Sequence, residues 1–289
     1  MRSDGTISPS TRLCAVIGNP VGHSLSPALH NAGFNALGLD FVYLAFRVEN
    51  LKSALGGMRA MENFRGMSVT IPHKIEIINY LDDVAKVDRS IGSVNTVINE
   101  DGRLYGFGTD GPGALKAILD AGVNLEGMNV LILGAGGASR AIAFTLASFA
   151  PLASLVILDI NKPIMMTLAE DLRAGTSVPV DAEYLDNVSI ARRVPAADII
   201  INCTPIGMHP KENATLIPAG YFKKNQLVFD AVYTPLETRL LRDAASRGCR
   251  IISGVEMFIN QAALQFERFT GEEAPVDIMR QVVMERLKG

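Results

Sequence analysis

The sequence predicts an α/β fold with two domains, and three observations support it. First, strand-like and helix-like segments alternate through nearly all of the 289 residues. Second, several strands in the second half are apolar throughout, which is typical of a parallel sheet covered on both faces. Third, a glycine-rich turn at residues 134–139 separates one such strand from a helix. The chain is 48% hydrophobic and 20% charged, so it can form a sizeable core.

The segments up to residue 110 predict the first α/β domain. A helix is expected to begin at Ser26-Pro27, with the serine as N-cap and the proline in the first helical position. Another helix is expected to open at Pro72 and to continue through Tyr80. Glu100-Asp101-Gly102 lies between two strand-like runs and predicts a hairpin turn. The other expected elements are strands at 13–17, 41–46, 66–70, 94–99 and 103–107 and a helix at 51–61.

The sequence pattern changes near Asp110-Gly111 to fully apolar strands that alternate with helices, and this change predicts the start of the second domain. Its helices are expected to alternate with apolar strands at 128–133, 155–158, 198–202, 227–230 and 250–252. Two amphipathic helices at 255–269 and 275–287 end the chain. The predicted organisation is therefore one domain of residues 1–110, completed by 255–289, and a second domain of residues 111–254.

The glycine-rich turn gives the second domain a function. Gly134, Gly136 and Gly137 follow an apolar strand and precede a helix, the context of a dinucleotide-binding fingerprint. Gly134 permits a tight turn, and Gly136 permits close approach of a pyrophosphate. The N–H groups at the start of the helix can then bind the phosphates. Although Ser139 replaces the third glycine, the context predicts a Rossmann-like parallel-sheet dinucleotide-binding domain.

Asp159 ends the next apolar strand, near the offset of about 20 residues at which this fold places a ribose-binding acid. A carboxylate there would accept hydrogen bonds from both ribose hydroxyls of NAD and repel the 2′-phosphate of NADP. A polar residue that merely ends the strand is the alternative interpretation. The sequence therefore favours NAD, with NADP possible.

Lys74 is a candidate for proton transfer. The predicted helix from Pro72 would place this lysine in a first turn, where the helix dipole disfavours its charged form. An ordinary surface lysine is the alternative. Further polar residues interrupt apolar stretches, although each also has a structural explanation as a cap or a buried amide: Ser24, Ser26, Asn95, Asp110 and Gln261.

Charge and composition exclude several classes of protein. The chain has 27 Lys and Arg against 30 Asp and Glu, a balance that argues against a nucleic-acid or anionic-membrane partner. Its three cysteines form no CxxC and its four histidines no HExxH, so no metal site is expected. The polar start of the chain lacks the apolar core of a signal peptide, and no apolar run is long enough for a membrane span, so we expect a cytoplasmic protein. The oligomeric state stays open, with a homodimer as one option.

Several ordered motifs together resemble the shikimate dehydrogenase family. They span nearly the whole chain and lie at 18–27, 68–74, 92–96, 108–111, 134–141, 202–208, 233–238 and 254–262. The resemblance implies an N-terminal substrate domain, completed by the C-terminal helices, and a Rossmann-like cofactor domain between them. It implies the reversible reduction of 3-dehydroshikimate to shikimate, a step in chorismate and aromatic amino-acid biosynthesis.

The resemblance also implies residue roles. Lys74 corresponds to the acid–base lysine and Asp110 to its carboxylate partner, and both also belong to the substrate site. The other implied substrate ligands are Ser24, Ser26, Thr70, Asn95 and Gln261. The implied cofactor contacts are the turn residues Gly134, Ala135, Gly136, Gly137 and Ala138, together with Asp159, Thr204, Gly254 and Met257.

The chain departs from the family pattern at three places. Ser68 and Gly108 stand where asparagine is usual, and Asp159-Ile160-Asn161-Lys162 lacks the arginine that binds the 2′-phosphate in NADP-dependent members. Because members that prefer NAD often also oxidise quinate, an NAD-dependent quinate/shikimate dehydrogenase is an alternative function. A cofactor-binding regulatory paralogue without catalysis is a second alternative, against which the presence of both Lys74 and Asp110 argues.

Overall fold

A computed structural model describes residues 7–288 and divides them into two compact units. The first, here called the N-terminal unit, contains the described residues up to Thr109 and those from Ile259 onward. The second, here called the central unit, contains Asp110–Phe258. Each unit has its own six-stranded sheet and its own hydrophobic core.

The N-terminal unit is built on a mixed sheet. Its strands are β1 Arg12–Gly18, β2 Phe41–Arg47, β3 Phe64–Val69, β4 Asp83–Val84, β5 Thr96–Glu100 and β6 Arg103–Phe107. Its helices are α1 Ser26–Ala36, α2 Leu51–Ala60, α3 Lys86–Ile91, most of α9 Gly254–Thr270 and α10 Val276–Lys288. The strand order is β2-β1-β3-β5-β6-β4, in which β1, β2 and β3 are parallel and β5 runs antiparallel to β3 and β6.

The hairpin between β5 and β6 has the turn that the sequence predicts. Asp101 and Gly102 have φ values of 52° and 82°, and the amide of Gly102 donates to Oδ1 of Asn99 at 3.0 Å. Two consecutive positive φ angles match the right-handed twist of the strands that they join. The turn therefore sets the register in which Thr96 pairs with Phe107.

The central unit is an all-parallel sheet covered by helices. Its strands are β7 Asn129–Leu133, β8 Ser154–Asp159, β9 Val180–Tyr184, β10 Ile199–Asn202, β11 Leu227–Asp230 and β12 Arg250–Ile252. Its helices are α4 Asp110–Asp120, α5 Gly137–Phe149, α6 Lys162–Gly175, α7 Asn187–Arg193 and α8 Arg239–Ser246. The order β12-β11-β10-β7-β8-β9 reverses direction around β7, and ligands of such sheets bind at the carboxyl ends of the strands at this point.

The predicted fold class is confirmed, and β7, β8, β10, β11 and β12 lie within one residue of their predicted bounds. Two local predictions in the N-terminal unit are wrong. Leu25, not Ser26, precedes the first helical residue of α1, and the hydroxyl of Ser26 does not cap it. Residues 71–75 form a turn, followed by a 3₁₀ helix at Glu76–Tyr80 rather than an α-helix from Pro72.

Candidate active site

Lys74 is half-buried in the turn between β3 and the 3₁₀ helix. Its carbonyl accepts a hydrogen bond from the amide of Val94 at 2.9 Å, which ties this turn to the segment that leads into β5. Because no α-helix begins at Pro72, the predicted dipole effect on the lysine has no structural basis. What the structure supplies is a lysine on a turn that is fixed at both ends.

Thr70 lies immediately after β3 and is held by its backbone. Its amide donates to the carbonyl of Ile17 at 2.9 Å, and its carbonyl accepts from the amide of His73 at 3.0 Å. A Cβ at Gly18 would come within 2.4 Å of the Thr70 methyl group, so the ends of β1 and β3 approach closely only because residue 18 is glycine.

Ser24 and Ser26 lie at the start of α1. The amide of Ser26 donates to Oγ of Ser24 at 3.3 Å, and Ser24 is half-buried in the loop before α1. Ser26 is buried, and its side chain is hydrogen-bonded to that of Tyr43. It does not cap α1.

Asn95 is the centre of a buried polar cluster. Its Oδ1 accepts from the amide of Thr109 at 2.7 Å and from the hydroxyl of Thr96 at 3.1 Å. Its Nδ2 donates to Oγ1 of Thr109 at 2.9 Å and to Oε1 of Gln261 at 3.3 Å. Two of the sequence-predicted substrate residues, Asn95 and Gln261, are therefore brought together, with Thr109 between them.

Gln265, one helical turn beyond Gln261, supports this cluster from behind. Its Nε2 donates to the carbonyl of Asn95 at 3.2 Å and to Oγ1 of Thr96 at 3.1 Å, and its Oε1 accepts from Ser68 at 2.7 Å. The hydroxyl of Tyr43 donates to Ser68 at 2.6 Å. Ser68 is thus 5% exposed and engaged on both sides, which gives it a supporting position. The sequence predicted neither Gln265 nor Tyr43 as part of the site.

Every member of this arrangement, here called the amide network, is uncharged: Tyr43, Ser68, Asn95, Thr96, Thr109, Gln261 and Gln265. His30 stacks on Tyr43 with ring centroids 4.4 Å apart, and burial lowers its pKa to about 3. The imidazole is therefore neutral near pH 7. Amides and hydroxyls can both donate and accept hydrogen bonds, which suits a ligand with several hydroxyl groups.

Asp110 follows Thr109 directly and is the first residue of α4. Its side chain is 5% exposed. The hydrogen bond from the backbone amide of Thr109 to Oδ1 of Asn95 fixes the backbone immediately before Asp110. The structure therefore places Asp110 at the boundary between the two units, as the first residue of the central unit.

Gly108 departs from the family pattern for a local reason. A Cβ at this position would lie 2.5 Å from Oδ1 of Asp88, whose carboxylate accepts a hydrogen bond from the Gly108 amide. The guanidinium of Arg268 stacks over the ring of Phe107, 4.0 Å from its centroid. Asp88 thus occupies the space beside residue 108 that a larger side chain would need.

The glycine-rich turn has the geometry that its sequence predicts. Gly134 has φ +99°, and a Cβ there would lie 3.2 Å from the backbone of Cys203. Ser139, which replaces the third glycine, is fully buried and donates to the carbonyl of Gly134 at 2.7 Å. The serine therefore closes the turn onto the first residue of the motif.

The start of α5 fits a pyrophosphate. Gly136 is the N-cap, no side chain caps the helix, and a Cβ on Gly136 would meet nothing within 4 Å. Ala135 is buried, whereas Gly136 is exposed and Gly137 and Ala138 are half-buried. Uncapped N–H groups at the beginning of a 13-residue helix, with open space beside them, suit the phosphates of a dinucleotide.

Asp159 braces this turn. Its Oδ2 accepts from the amide of Ala135 at 2.6 Å, and its Oδ1 accepts from the amide of Asn161 at 2.6 Å. Both carboxylate oxygens therefore accept a hydrogen bond from a backbone amide, which gives Asp159 a structural role in this turn.

A shallow surface hollow follows Asp159 at the start of α6. Asn161 caps this helix by accepting from the amide of Ile164 at 3.3 Å. The ammonium group of Lys162 lies 5.3 Å from the centroid of the Tyr184 ring. A helix N-terminus and an exposed lysine thus lie next to each other beside the glycine-rich turn.

Thr204, Gly254 and Met257 lie on two other segments of the central unit. Thr204 is half-buried in the loop after β10, and Met257 is 7% exposed on the first turn of α9. A Cβ on Gly254 would lie 2.5 Å from the carbonyl of Val232, so the start of α9 contacts the loop after β11 directly.

Two other kinds of feature are absent from residues 7–288. These residues contain no group of three or more His, Cys, Asp or Glu side chains that could hold a metal ion. In the same range, no helix is long and apolar enough to cross a membrane.

Comparison with known proteins identifies the family that the chain resembles. A family profile described as "Shikimate dehydrogenase substrate binding domain" matches residues 16–97, and "Shikimate 5'-dehydrogenase C-terminal domain" matches residues 254–284. The "Shikimate dehydrogenase (NADP(+))" of Moorella thermoacetica is 46% identical, over 97% of this chain and 95% of that protein. The protein of the same name from Symbiobacterium thermophilum is 42% identical, over 96% and 95%.

Solved structures of shikimate 5-dehydrogenases are also similar to nearly the whole chain. Shikimate 5-dehydrogenase from Listeria monocytogenes, in complex with shikimate and NAD, is 36% identical with a TM-score of 0.89, over 97% of this chain and 99% of that chain. The enzyme from Thermus thermophilus, in complex with NADP(H) and shikimate, is 34% identical with a TM-score of 0.84, over 95% and 99%.

The prediction that NAD is favoured is wrong. Curated relatives 40–46% identical to this chain are named for NADP(+), and the Thermus structure holds NADP(H). The physical reason lies in Asp159. Its carboxylate accepts from the amides of Ala135 and Asn161, so an acid at this position is explained by bracing the turn and does not by itself indicate NAD.

Proposed function

The chain belongs to the shikimate dehydrogenase family, and we propose that it catalyses the reversible reduction of 3-dehydroshikimate to shikimate with NADP(H). The observation that carries this proposal is the 46% identity over nearly the full length of both chains. The names of these relatives do not favour the alternatives of a quinate/shikimate dehydrogenase or a non-catalytic paralogue.

We assign substrate binding to the N-terminal unit. Asn95 and Gln261, which the amide network orients, would hydrogen-bond the hydroxyls of shikimate. Ser24, Ser26 and Thr70 would complete the site and help to hold the carboxylate. A site of neutral donors and acceptors discriminates strongly against analogues that lack a hydroxyl, because its own buried groups are then left unpaired.

Lys74 and Asp110 would carry the proton transfer. When bound, NADPH would supply the hydride for the carbonyl carbon of the 3-keto group. The ammonium group of Lys74 would give a proton to the carbonyl oxygen, which would become the hydroxyl of shikimate, and the lysine would be left as a neutral amine. The carboxylate of Asp110 would orient the lysine and compensate its charge.

The central unit would bind the cofactor. The glycine-rich turn and the uncapped start of α5 would hold the pyrophosphate, and Thr204, Gly254 and Met257 would flank the nicotinamide. For the 2′-phosphate, the exposed ammonium group of Lys162 and the N-terminus of α6 supply positive charge where the family uses arginine. Lysine acts as a point charge on phosphate and lacks the bidentate fork of arginine.

Two wider expectations accompany this function. We expect the enzyme to act in the cytoplasm, where its small-molecule substrate and NADP(H) are available. A homodimer stays a prediction, which sedimentation velocity on the purified protein would test.

The direct experiment is an absorbance assay of NADPH formation by the purified protein. Shikimate with NADP⁺ should give turnover, and kcat/KM should be lower with quinate or with NAD⁺. Turnover that is faster with quinate and NAD⁺ would contradict the proposal, and so would no turnover by a folded protein that binds NADP⁺.

A further inference from the structure

We propose that Asp230 is a positioning residue for the cofactor, because one buried carboxylate holds together the two loops that flank the proposed nicotinamide site. This inference rests on the proposed function, since it concerns how the central unit presents Thr204 and Gly254 to NADP(H). No contact between Asp230 and the cofactor is involved.

Asp230 is the last residue of β11 and is completely buried. Its Oδ1 accepts from Nδ2 of Asn202 at 2.9 Å and from the amide of Val232 at 3.0 Å. Its Oδ2 accepts from the hydroxyl of Thr238 at 2.6 Å. All three donors are neutral. Asn202 ends β10, whereas Val232 and Thr238 lie near the two ends of the loop after β11.

Through Asn202, the carboxylate reaches the loop after β10. Oδ1 of Asn202 accepts from both the amide and the hydroxyl of Thr204, at 3.1 and 2.7 Å. Oγ1 of Thr204 accepts in turn from the amide of Ile206 at 3.3 Å, and Nδ2 of Asn202 also donates to the carbonyl of Ile206 at 3.3 Å. Asp230 therefore fixes the side chain that folds the Thr204 loop.

Through Val232, the carboxylate reaches the start of α9. The Asp230 bond fixes the Ala231–Val232 backbone, whose carbonyls lie 2.6 and 2.5 Å from the position that a Cβ on Gly254 would occupy. The next residue, Tyr233, stacks on Phe258 of α9 with ring centroids 4.7 Å apart. The position of the start of α9 relative to this loop thus depends on where Asp230 holds the backbone of Val232.

Through Thr238, the carboxylate secures the far end of the same loop. Thr238 is the N-cap of α8 and is completely buried. Its hydroxyl accepts from the amide of Leu241 at 3.4 Å while it donates to Asp230. The loop after β11 is therefore held at both of its ends by one side chain.

Burial in this setting raises the pKa of Asp230 to about 6, although its three hydrogen bonds oppose the shift. A charged group that is unfavourable to bury is retained at the carboxyl edge of the sheet, where cofactors bind in this fold. A role in positioning the cofactor loops explains why the buried carboxylate lies at this edge of the sheet. A purely stabilising role would not require this location.

The same strand provides a matched control. Gln226 directly precedes β11, is 5% exposed, and makes three hydrogen bonds of 2.7 Å with Val194, Ala197 and Lys223. It is therefore a buried polar hub of similar connectivity at the opposite end of the strand. A substitution there should destabilise the unit without affecting the cofactor loops.

The test compares Asp230→Leu with Asp230→Asn and Gln226→Leu. Leucine has a similar size but accepts no hydrogen bond, so KM and Kd for NADP⁺ should rise about tenfold or more, while KM for shikimate changes less than about twofold. Asparagine can keep all three bonds if the Thr238 hydroxyl reverses, so Asp230→Asn should stay within about threefold of wild type. Gln226→Leu should lower the melting temperature and leave KM for NADP⁺ unchanged.

If Asp230→Leu does not fold, Thr238→Val and Thr238→Ser decide the matter. Valine keeps the shape of threonine but removes both the donor to Asp230 and the N-cap acceptor of α8, and should raise KM for NADP⁺ severalfold, whereas serine keeps both. Unchanged KM and Kd for NADP⁺ in folded Asp230→Leu or Thr238→Val would overturn the proposal, as would an equal effect of Gln226→Leu. If the wild type oxidises no shikimate, the proposed function fails, and calorimetric Kd values for NADP⁺ still test Asp230.

Discussion

The two units hold their proposed ligand residues with chemically different buried networks. In the N-terminal unit, the amide network around Asn95 and Gln265 consists of neutral amides and hydroxyls. In the central unit, the corresponding network converges on one carboxylate, Asp230. Neutral groups can be matched to the hydroxyls of a substrate, whereas an ionised carboxylate only accepts hydrogen bonds, and that of Asp230 holds two side chains and one backbone amide in place.

This difference predicts how each unit responds to change. The amide network should depend little on pH near neutrality, because it contains no group that titrates there. The Asp230 network should respond to pH, since its central group is ionisable and buried. Variants in the two units should also affect different kinetic constants.

The largest expected effect tests whether the chemistry lies beside the amide network. Lys74→Ala should lower kcat by about 10²–10⁴-fold, because it removes the proton donor, and should change KM for shikimate far less. Asp110→Asn should act similarly, and the double variant should be strongly non-additive because the two groups act as a unit. Steady-state kinetics on folded proteins decide this, and near-normal turnover in Lys74→Ala would remove the lysine from the mechanism.

The next effect sharpens the contrast in charge. Burial raises the pKa of Asp230 from 3.8 to about 6, so the folded state binds this proton more tightly than the unfolded chain. The resulting stabilisation is complete below pH of about 4 and is lost as pH rises to about 6. Relative to Asp230→Asn, the unfolding free energy of the wild type should therefore fall by on the order of 3 kcal/mol across this range. Urea titrations at several pH values measure it, and a pH-independent difference would contradict it.

A smaller effect is expected at Gln265, where a substitution should raise KM for shikimate instead of KM for NADP⁺, the opposite of Asp230→Leu. Gln265→Leu leaves Asn95 and Thr96 without their support, so KM for shikimate should rise about tenfold while KM for NADP⁺ stays near the wild-type value. Gln261→Ala and Ser24→Ala should shift the same constant. Gln265→Glu provides a control of similar size and adds a charge to a neutral network. Equal changes in both KM values would show that Gln265 acts on stability alone.

The smallest effect concerns the cofactor. Lys162→Ala should raise KM for NADP⁺ about fivefold, because an exposed ion pair with the 2′-phosphate is modest in energy. KM for NAD⁺, which lacks that phosphate, should not change, and Lys162→Arg should retain or improve the use of NADP⁺. A parallel change in both KM values would place Lys162 away from the phosphate.

The sequence predicts the central unit well because its strands are buried on both faces. A run such as Leu227–Asp230 is apolar until its last residue, which is typical of a strand in a parallel sheet covered on both faces. The edge strand β9 was not predicted, since Val180–Tyr184 alternates with acids and is at most half-buried. The 3₁₀ helix after Pro72 was also missed, because proline marks a helix start without specifying the type of helix.

The site divides along a similar line. The glycine-rich turn was predictable because its residues have local reasons to be glycine, as the positive φ of Gly134 illustrates. Gln265 and Asp230 were not, since each looks in sequence like an ordinary polar residue. The partners of Gln265 include Asn95 and Ser68, 170 and 197 residues away, and Asp230 reaches the Thr204 loop through Asn202, 28 residues earlier. The structural role of Asp159 was missed for the same reason, because its partner, the amide of Ala135, is 24 residues away and comes next to it only after folding.

Asp88 and Gly108 have a consequence for the evolution of this chain. The Asp88 carboxylate lies where a side chain at residue 108 would begin, and it accepts a hydrogen bond from the Gly108 amide. Restoring the asparagine that is usual at 108 would displace Asp88 from this bond. In an Asp88→Gly background, the next atom that its Cβ meets is the carbonyl oxygen of Ser93, at an ordinary contact distance of 3.7 Å. The two positions should therefore show epistasis, so that the cost of asparagine at 108 depends on the residue at 88.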